Sequence, residues 1–79
     1  MLIGSVLKAI PTLQASAENK WRYGAHIGNA VVECYEQDGK AIILRVRRAV
    51  DKDDSQSDFT AGVFCHTIKS AKYFIGEFA

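Results

Sequence analysis

Cys65 and His66 are adjacent in the sequence, and a thiol next to an imidazole could suggest a nucleophile beside its base. Apolar and polar residues alternate around them, which predicts a strand, and neighbouring residues of a strand point to opposite faces. A thiol and an imidazole placed in this way cannot share a proton. Cys34 and Cys65 are therefore expected to be reduced core residues, since free cysteine packs as a small hydrophobe.

Two patterns could bind a metal ion, and neither has the required spacing. His26, His66 and the two cysteines offer four zinc ligands, but none stands at the short pairwise spacing of a zinc knuckle. The acidic run at 51–58, DKDDSQSD, lacks the turn glycine and the final bidentate glutamate of a calcium loop. We expect no metal, no cofactor and a mobile acidic loop at 51–58. Without a glycine-rich phosphate loop, a GxSxG elbow or an HExxH motif, the protein is not expected to be an enzyme.

Arginine and tyrosine side chains near one turn are the best candidates for a binding surface. Both residue types supply large contact areas and directional hydrogen bonds, and both are enriched at protein interfaces. The predicted partner-binding residues are Tyr35, Arg45, Arg47, Arg48 and Glu33. Residues that could extend this surface are Trp21, Arg22, Tyr23, Lys40, Lys69 and Lys72. The alternative is that these charges are only solvated and protect an edge strand from aggregation.

A β-hairpin must position these residues, with strands at 29–36 and 40–50 and a turn at Gln37-Asp38-Gly39. A two-residue loop would place Glu33 on the core face. We favour a three-residue loop with Gly39 in the left-handed conformation. The core face then carries Ala30, Val32, Cys34, Ile42, Leu44 and Val46. The outer face carries Val31, Glu33, Tyr35, Ala41, Ile43, Arg45 and Arg47, with the tyrosine and arginines in water and Glu33 diagonal to Arg45.

The remaining elements complete a β-α-β-β-β-α order. Residues 1–10 fit either a strand or a short helix, and we favour a strand. A helix is predicted from Pro11 to about residue 18, with Leu13, Ala17 and Trp21 on one face. Alternation at 59–66 predicts a strand, and helical spacing after an N-capping Thr67 predicts a closing helix. The residues at that spacing are Ile68, Ala71, Phe74 or Ile75, and Phe78.

Together these elements predict an α+β fold, in which a small antiparallel sheet of three to four strands carries one or two helices on one face. A length of 79 residues fits one domain, 1–79. The apolar stretches are shorter than the roughly 20 residues that span a bilayer, and no secretory signal is recognisable. We expect a cytoplasmic protein, monomeric or weakly dimeric, that binds no membrane. A net charge of +1 gives no global signature of nucleic-acid binding.

The segment 29–78 resembles one family of type I anti-CRISPR proteins, the small phage-encoded inhibitors of RNA-guided surveillance complexes. The similarity comprises Tyr35-Glu36 before a glycine turn, a strand ending in Arg45-Val46, a polar connection, a strand at 58–65, and a terminal helix with Tyr73-Phe74 and Gly76. It implies binding to the backbone subunits that hold guide RNA, which blocks pairing with target DNA. Tyr35 matches a partner-contacting tyrosine of the family, whereas Arg47 stands where the family has an acidic contact.

Two other functions remain open at this point. A nucleic-acid-binding domain would present the basic sheet face to phosphates, although the nearly neutral net charge and the acidic loop count against it. An oligomerising structural module would add the predicted strand at 1–9 to a neighbour's sheet.

Overall fold

A five-stranded antiparallel sheet carries two helices on one face, as seen in a computed structural model that describes residues 1–16, 21–49 and 62–79. The elements are α1 (Ile3–Ala9), β1 (Gln14–Ala15), β2 (Tyr23–Ile27), β3 (Ala30–Gln37), β4 (Lys40–Arg48), β5 (Val63–Phe64) and α2 (Ile68–Phe78). The strands lie side by side in chain order. The predicted α+β class is confirmed, with five strands instead of three to four.

The hydrophobic core lies between the two helices and one face of the sheet. Val6 and Ile10 enter it from the first helical segment, and Ala71 enters it from α2. The sheet contributes the buried residues Ala25, Val32, Cys34, Ala41, Leu44 and Val46. Within the described residues, no helix has both the length and the apolar character needed to cross a membrane.

Residues Ile3–Ala9 form a helix, so the strand predicted at 1–10 is wrong. Val6 and Ile10 are buried four residues apart, with Ile3 and Leu7 partly buried beside them. These positions form one helical face, and packing that face against the sheet stabilises the short helix. The Ile3 N–H donates to the Gly39 carbonyl at 2.8 Å, which joins the helix start to the hairpin turn. An oligomerising strand at 1–9 is therefore not available.

The helix predicted from Pro11 is also not formed in the described part of that segment. Pro11 and Thr12 lie in a turn, and Gln14–Ala15 forms the edge strand β1. Gln14 pairs with Gly24 and Ala15 with Tyr23 of β2. The sequence did not predict β2, because glycine and a polar histidine interrupt its apolar pattern. Ala17, assigned to the predicted helix, lies outside the described residues.

The β3–β4 hairpin is confirmed, but its turn differs from the predicted one. Gln37 pairs with Lys40, so the loop has two residues, Asp38 and Gly39, with φ angles of 54° and 80°. Two positive φ angles are typical of the type I′ turn, whose twist matches that of the strands. The register then shifts between Tyr35 and Glu36, which makes Ile42 an extra, bulged residue.

The bulge explains why the predicted faces are mostly correct. Beyond it, Cys34 pairs with Leu44 and Val32 with Val46 on the core face, as predicted. Between the turn and the bulge, the residues of β4 lie on the face opposite to the predicted one. Ala41 is buried in the core and Ile42 is 50% exposed, so these two predictions are wrong.

The closing helix and its N-cap are confirmed. Thr67 has an extended backbone, and its Oγ1 accepts a hydrogen bond from the Ser70 N–H at 3.0 Å. Within the predicted strand at 59–66, Val63 and Phe64 form β5 and pair with β4. Residues 59–61 and the acidic loop predicted at 51–58 lie outside the described residues.

Candidate functional site: the outer face of the sheet

The face of the sheet opposite the helices, here called the outer face, holds most of the predicted binding residues. Antiparallel pairing places directly opposed residues on the same face. One row therefore crosses all five strands through Gln14, Gly24, Glu33, Arg45 and Phe64. The sequence prediction that Glu33, Tyr35, Arg45 and Arg47 share this face is consistent with the register.

Glu33, Arg45 and Arg47 form a charged cluster at the centre of the outer face. The Arg47 Nε donates to Glu33 Oε1 at 3.0 Å, and the Arg45 Nη1 lies 3.7 Å from the same oxygen. Arg45 is directly opposite Glu33, and Arg47 is diagonal to it. The predicted pairing of Glu33 with Arg45 is present. Arg45 is directly opposite Glu33, however, and not diagonal to it as predicted.

The charged cluster is buried, so the prediction that these arginines face water is wrong. Arg45 is 0% exposed, Arg47 4% and Glu33 7%. The Arg45 guanidinium lies 5.9 Å from the centroid of the Trp21 ring, in cation–π range. Gly62 packs against Arg47 so closely that a Cβ there would lie 2.6 Å from the Arg47 Cβ. Segments that are distant in the sequence therefore contact the arginines on a face that hairpin patterning alone would leave open.

Arg48 lies on the other face of the sheet, away from the charged cluster. It is paired with Ala30, at a core-face position of the register. Its guanidinium lies 5.5 Å from the centroid of the Phe78 ring of α2. The expected single patch of three arginines is therefore divided between the two faces.

An exposed apolar ridge, formed by Tyr35, Ile43 and Phe64, runs beside the charged cluster. Tyr35 and Ile43 are directly paired, and Phe64 is opposite Arg45, which places it diagonal to Ile43. Their exposed fractions are 41%, 37% and 48%, respectively. Tyr35 was predicted from the sequence, and its exposure is as expected. Ile43 and Phe64 were missed as site residues, although both are large apolar residues at outward positions of their strands.

Arg22, Lys69 and Lys72, three of the cations that were candidates to extend the surface, do not join the charged cluster. The Arg22 Nε contacts Glu36 Oε1 at 2.9 Å, and Glu36 Oε2 accepts a hydrogen bond from the Gly39 N–H. Lys69 and Lys72 are exposed on α2, the helix that covers the opposite face. Arg22, Lys69 and Lys72 therefore do not form one basic surface with Arg45 and Arg47.

The cysteines have the properties of core residues. Burial, with a smaller contribution from the Glu36 carboxylate, raises the pKa of Cys34 to about 11. Burial also raises the pKa of Cys65, although a hydrogen bond with Ser70 opposes the shift. Both thiols are therefore protonated at neutral pH and are weak nucleophiles. In the part of the chain that the structure describes, no group of three or more His, Cys, Asp or Glu side chains is arranged to hold a metal ion.

Comparisons of the chain with protein-family models, with curated proteins and with solved structures find no match in any of the three.

Proposed function

We propose that the protein is a non-catalytic inhibitor that binds another protein through the apolar ridge of the outer face. The observation that carries this proposal is the exposure of Tyr35, Ile43 and Phe64 on three neighbouring strands. Large apolar side chains grouped on a surface are typical of interaction sites. Tyrosine is also one of the residue types enriched among the hot spots that dominate binding energy at protein interfaces.

The buried charged cluster supports the ridge and does not itself bind the partner. The ion pairs hold neighbouring strands β3 and β4 together beneath Trp21, at the centre of the same face. A rigid sheet keeps the exposed side chains in position before binding, which lowers the ordering cost of association. A standard interface buries about 800 Å² per partner, so the partner would also cover the rim of the ridge.

We further propose, on the sequence resemblance, that the partner is a backbone subunit of a type I RNA-guided surveillance complex. Tyr35 is the position that matches the partner-contacting tyrosine of the anti-CRISPR family, and it lies at one end of the ridge. Bound there, the protein would block pairing of the guide RNA with target DNA in the cytoplasm of the host cell. Arg47, where the family has an acidic contact, is buried and does not take that role.

The experiment measures binding of labelled target DNA to purified type I surveillance complexes, with and without the protein. The wild type should inhibit DNA binding, and Tyr35→Ala and Phe64→Ala should each weaken inhibition by at least about tenfold, as expected for interface hot spots. Both changes remove exposed side chains, so the thermal midpoint should change little.

Tyr73→Ala is the matched control, because Tyr73 is a 61% exposed tyrosine on α2, on the other side of the sheet. It should inhibit as well as the wild type. Equal inhibition by the wild type, Tyr35→Ala and Phe64→Ala would show that the ridge is not the binding surface. Failure of the wild type to bind any type I complex would exclude the surveillance complex as the partner.

A further inference from the structure

The exposed side of α2 carries three residues at four-residue spacing, Lys69, Tyr73 and Glu77, here called the α2 row. Residues four apart on a helix lie one above the other, so these side chains follow one line along the helix surface. Tyr73 is 61% exposed, and its hydroxyl donates a hydrogen bond to Glu77 Oε1 at 2.8 Å. Among the described residues, Lys69 forms no ion pair. The α2 row is therefore cationic at one end, aromatic in the middle and anionic at the other end.

The charges of the α2 row are arranged against the dipole of their own helix. The first turn of α2 holds Lys69 and no acidic residue, and the last turn holds Glu77 and no basic residue. The N-terminal end of a helix carries a partial positive charge and the C-terminal end a partial negative charge, so each side chain lies at the less favourable end. The stability of α2 alone therefore does not explain this order of charges.

Gly76 is a second feature that is unfavourable for α2 alone, because glycine within a helix is less stable than alanine. Gly76 is exposed, and a Cβ there would meet nothing within 4 Å. The packing of the protein itself therefore does not require a glycine at this position. Residues three apart are neighbours on a helix surface, so the missing side chain leaves a groove beside Tyr73.

The α2 row and this groove are complementary to a second, antiparallel copy of the same helix. A twofold axis at Tyr73 pairs residues that lie equally far from it in the two copies. Lys69 and Glu77 are each four residues from Tyr73, so each lysine then lies beside the glutamate of the other copy. The groove at Gly76 admits the row of the other helix, and packing of four-residue rows into grooves is the commonest helix contact in globular proteins. The order of charges that is unfavourable within one helix is complementary between two.

We propose that the protein forms a symmetric homodimer in which α2 packs antiparallel against α2 of a second copy. This interface is independent of the proposed binding of another protein, because α2 covers the face of the sheet opposite the apolar ridge. Each protomer keeps its own ridge exposed. A helix of 11 residues is about 16 Å long, so the interface is small and a dissociation constant on the order of 10–100 µM is expected. Well below that concentration the protein is monomeric, and Tyr73→Ala there should inhibit as the wild type does.

Sedimentation equilibrium of the full-length protein measures the dimer over concentrations from about 5 µM to about 500 µM, on both sides of the expected dissociation constant. The average mass should rise from that of a monomer towards that of a dimer. Lys69→Glu places two like-charged pairs across the interface and should weaken dimerisation at least about tenfold.

Lys72→Glu is the matched control, because it makes the same change of charge at another exposed lysine of α2. The twofold axis at Tyr73 aligns Lys72 with Phe74 of the second copy, which carries no charge. At physiological salt, where separated surface charges are largely screened, Lys72→Glu should change the dissociation constant by less than about threefold.

A mixture of two charge-reversed variants tests the antiparallel pairing directly. Glu77→Lys alone should also weaken dimerisation, since the new lysine lies beside Lys69 of the second copy. In an equimolar mixture of Lys69→Glu and Glu77→Lys, every introduced charge lies beside an opposite charge of the other variant. The mixture should therefore dimerise about as tightly as the wild type, which also shows that both variants are folded.

Gly76→Leu separates the stability of α2 from the fit of the interface. Leucine favours a helix more than glycine does, so the thermal midpoint of the monomer should rise. The added side chain fills the groove and should weaken dimerisation at least about tenfold. Four results would overturn the proposal: a monomer at every concentration, equal dissociation constants for Lys69→Glu and Lys72→Glu, no recovery in the mixture, or unimpaired dimerisation of Gly76→Leu.

Discussion

At the scale of single residues, Glu33 supplies a counter-charge to two arginines that are buried in a small protein. Moving a charge out of water is costly unless a counter-charge and hydrogen bonds replace the water. Glu33 Oε1 contacts Arg45 and Arg47 at 3.7 Å and 3.0 Å, and all three side chains are at least nine-tenths buried. The Trp21 ring adds a cation–π contact to Arg45. The same residues that the sequence marks as a binding surface are therefore structural.

Glu33→Ala should destabilise the protein by about 3 kcal/mol, because it removes the carboxylate from two buried guanidinium groups. The free energy of unfolding is measured by urea denaturation at neutral pH. Arg22→Ala is the control, since Arg22 is 62% exposed and its ion pair with Glu36 lies at the surface. Surface pairs contribute up to about 1 kcal/mol. Equal losses of stability in the two variants would contradict a structural role for the charged cluster.

At the scale of elements, turn and cap chemistry decide where the strands and α2 begin and end. Asp38 and Gly39 adopt positive φ angles that suit a two-residue hairpin turn. The bulge at Ile42 then restores the alternation, so that Cys34 and Leu44 face the core together. Without that extra residue, the two-residue turn would place Glu33 on the core face, among apolar side chains. The bulge therefore permits both the tight turn and the burial of the aliphatic residues.

Thr67→Ala should lower the free energy of unfolding by about 1 kcal/mol, because it removes the acceptor for the Ser70 N–H at the start of α2. Thr67→Ser keeps a hydroxyl group at the N-cap and should retain most of the stability. Thermal denaturation followed by circular dichroism measures both variants. If alanine and serine at this position gave the same midpoint as threonine, the cap would not stabilise α2.

At the scale of the whole molecule, the distribution of charge bears on whether the outer face could bind a nucleic-acid duplex. The net charge is only +1, and the two arginines at the centre of the outer face are buried. Other cations are dispersed, as Arg22 pairs with Glu36 and Lys69 lies on α2. Duplex binding depends on several cations that neutralise phosphates together and release counterions. No such basic face occurs in the part of the chain that the structure describes.

The protein should therefore show no strong, salt-dependent binding to double-stranded DNA or RNA. Fluorescence anisotropy with labelled duplexes, measured at about 50 mM and 200 mM salt, tests this expectation. Binding should be weak at both concentrations. Tight binding at low salt that falls by about a thousandfold or more at the higher concentration would indicate multiple phosphate contacts and contradict the proposed role of the outer face.

Sequence patterns alone determined the features of this protein that depend on residues close together in the sequence. The β3–β4 hairpin, the Thr67 cap and the helical spacing of α2 follow from turn chemistry, capping and periodicity, which act over a few residues. The core-face positions of Val32, Cys34, Leu44 and Val46 were predicted for the same reason. Tyr35 was also correctly placed on the exposed part of the outer face.

Only the tertiary structure decided the secondary structure of residues 1–10 and the burial of Glu33, Arg45 and Arg47 on the outer face. A short apolar segment fits a strand or a helix, and packing of Val6 and Ile10 against the sheet selects the helix. Trp21 contacts Arg45 and Gly62 packs against Arg47, and both approach the arginines from distant parts of the chain. Local patterns carry no information about such contacts, because the segments meet only when the chain is folded.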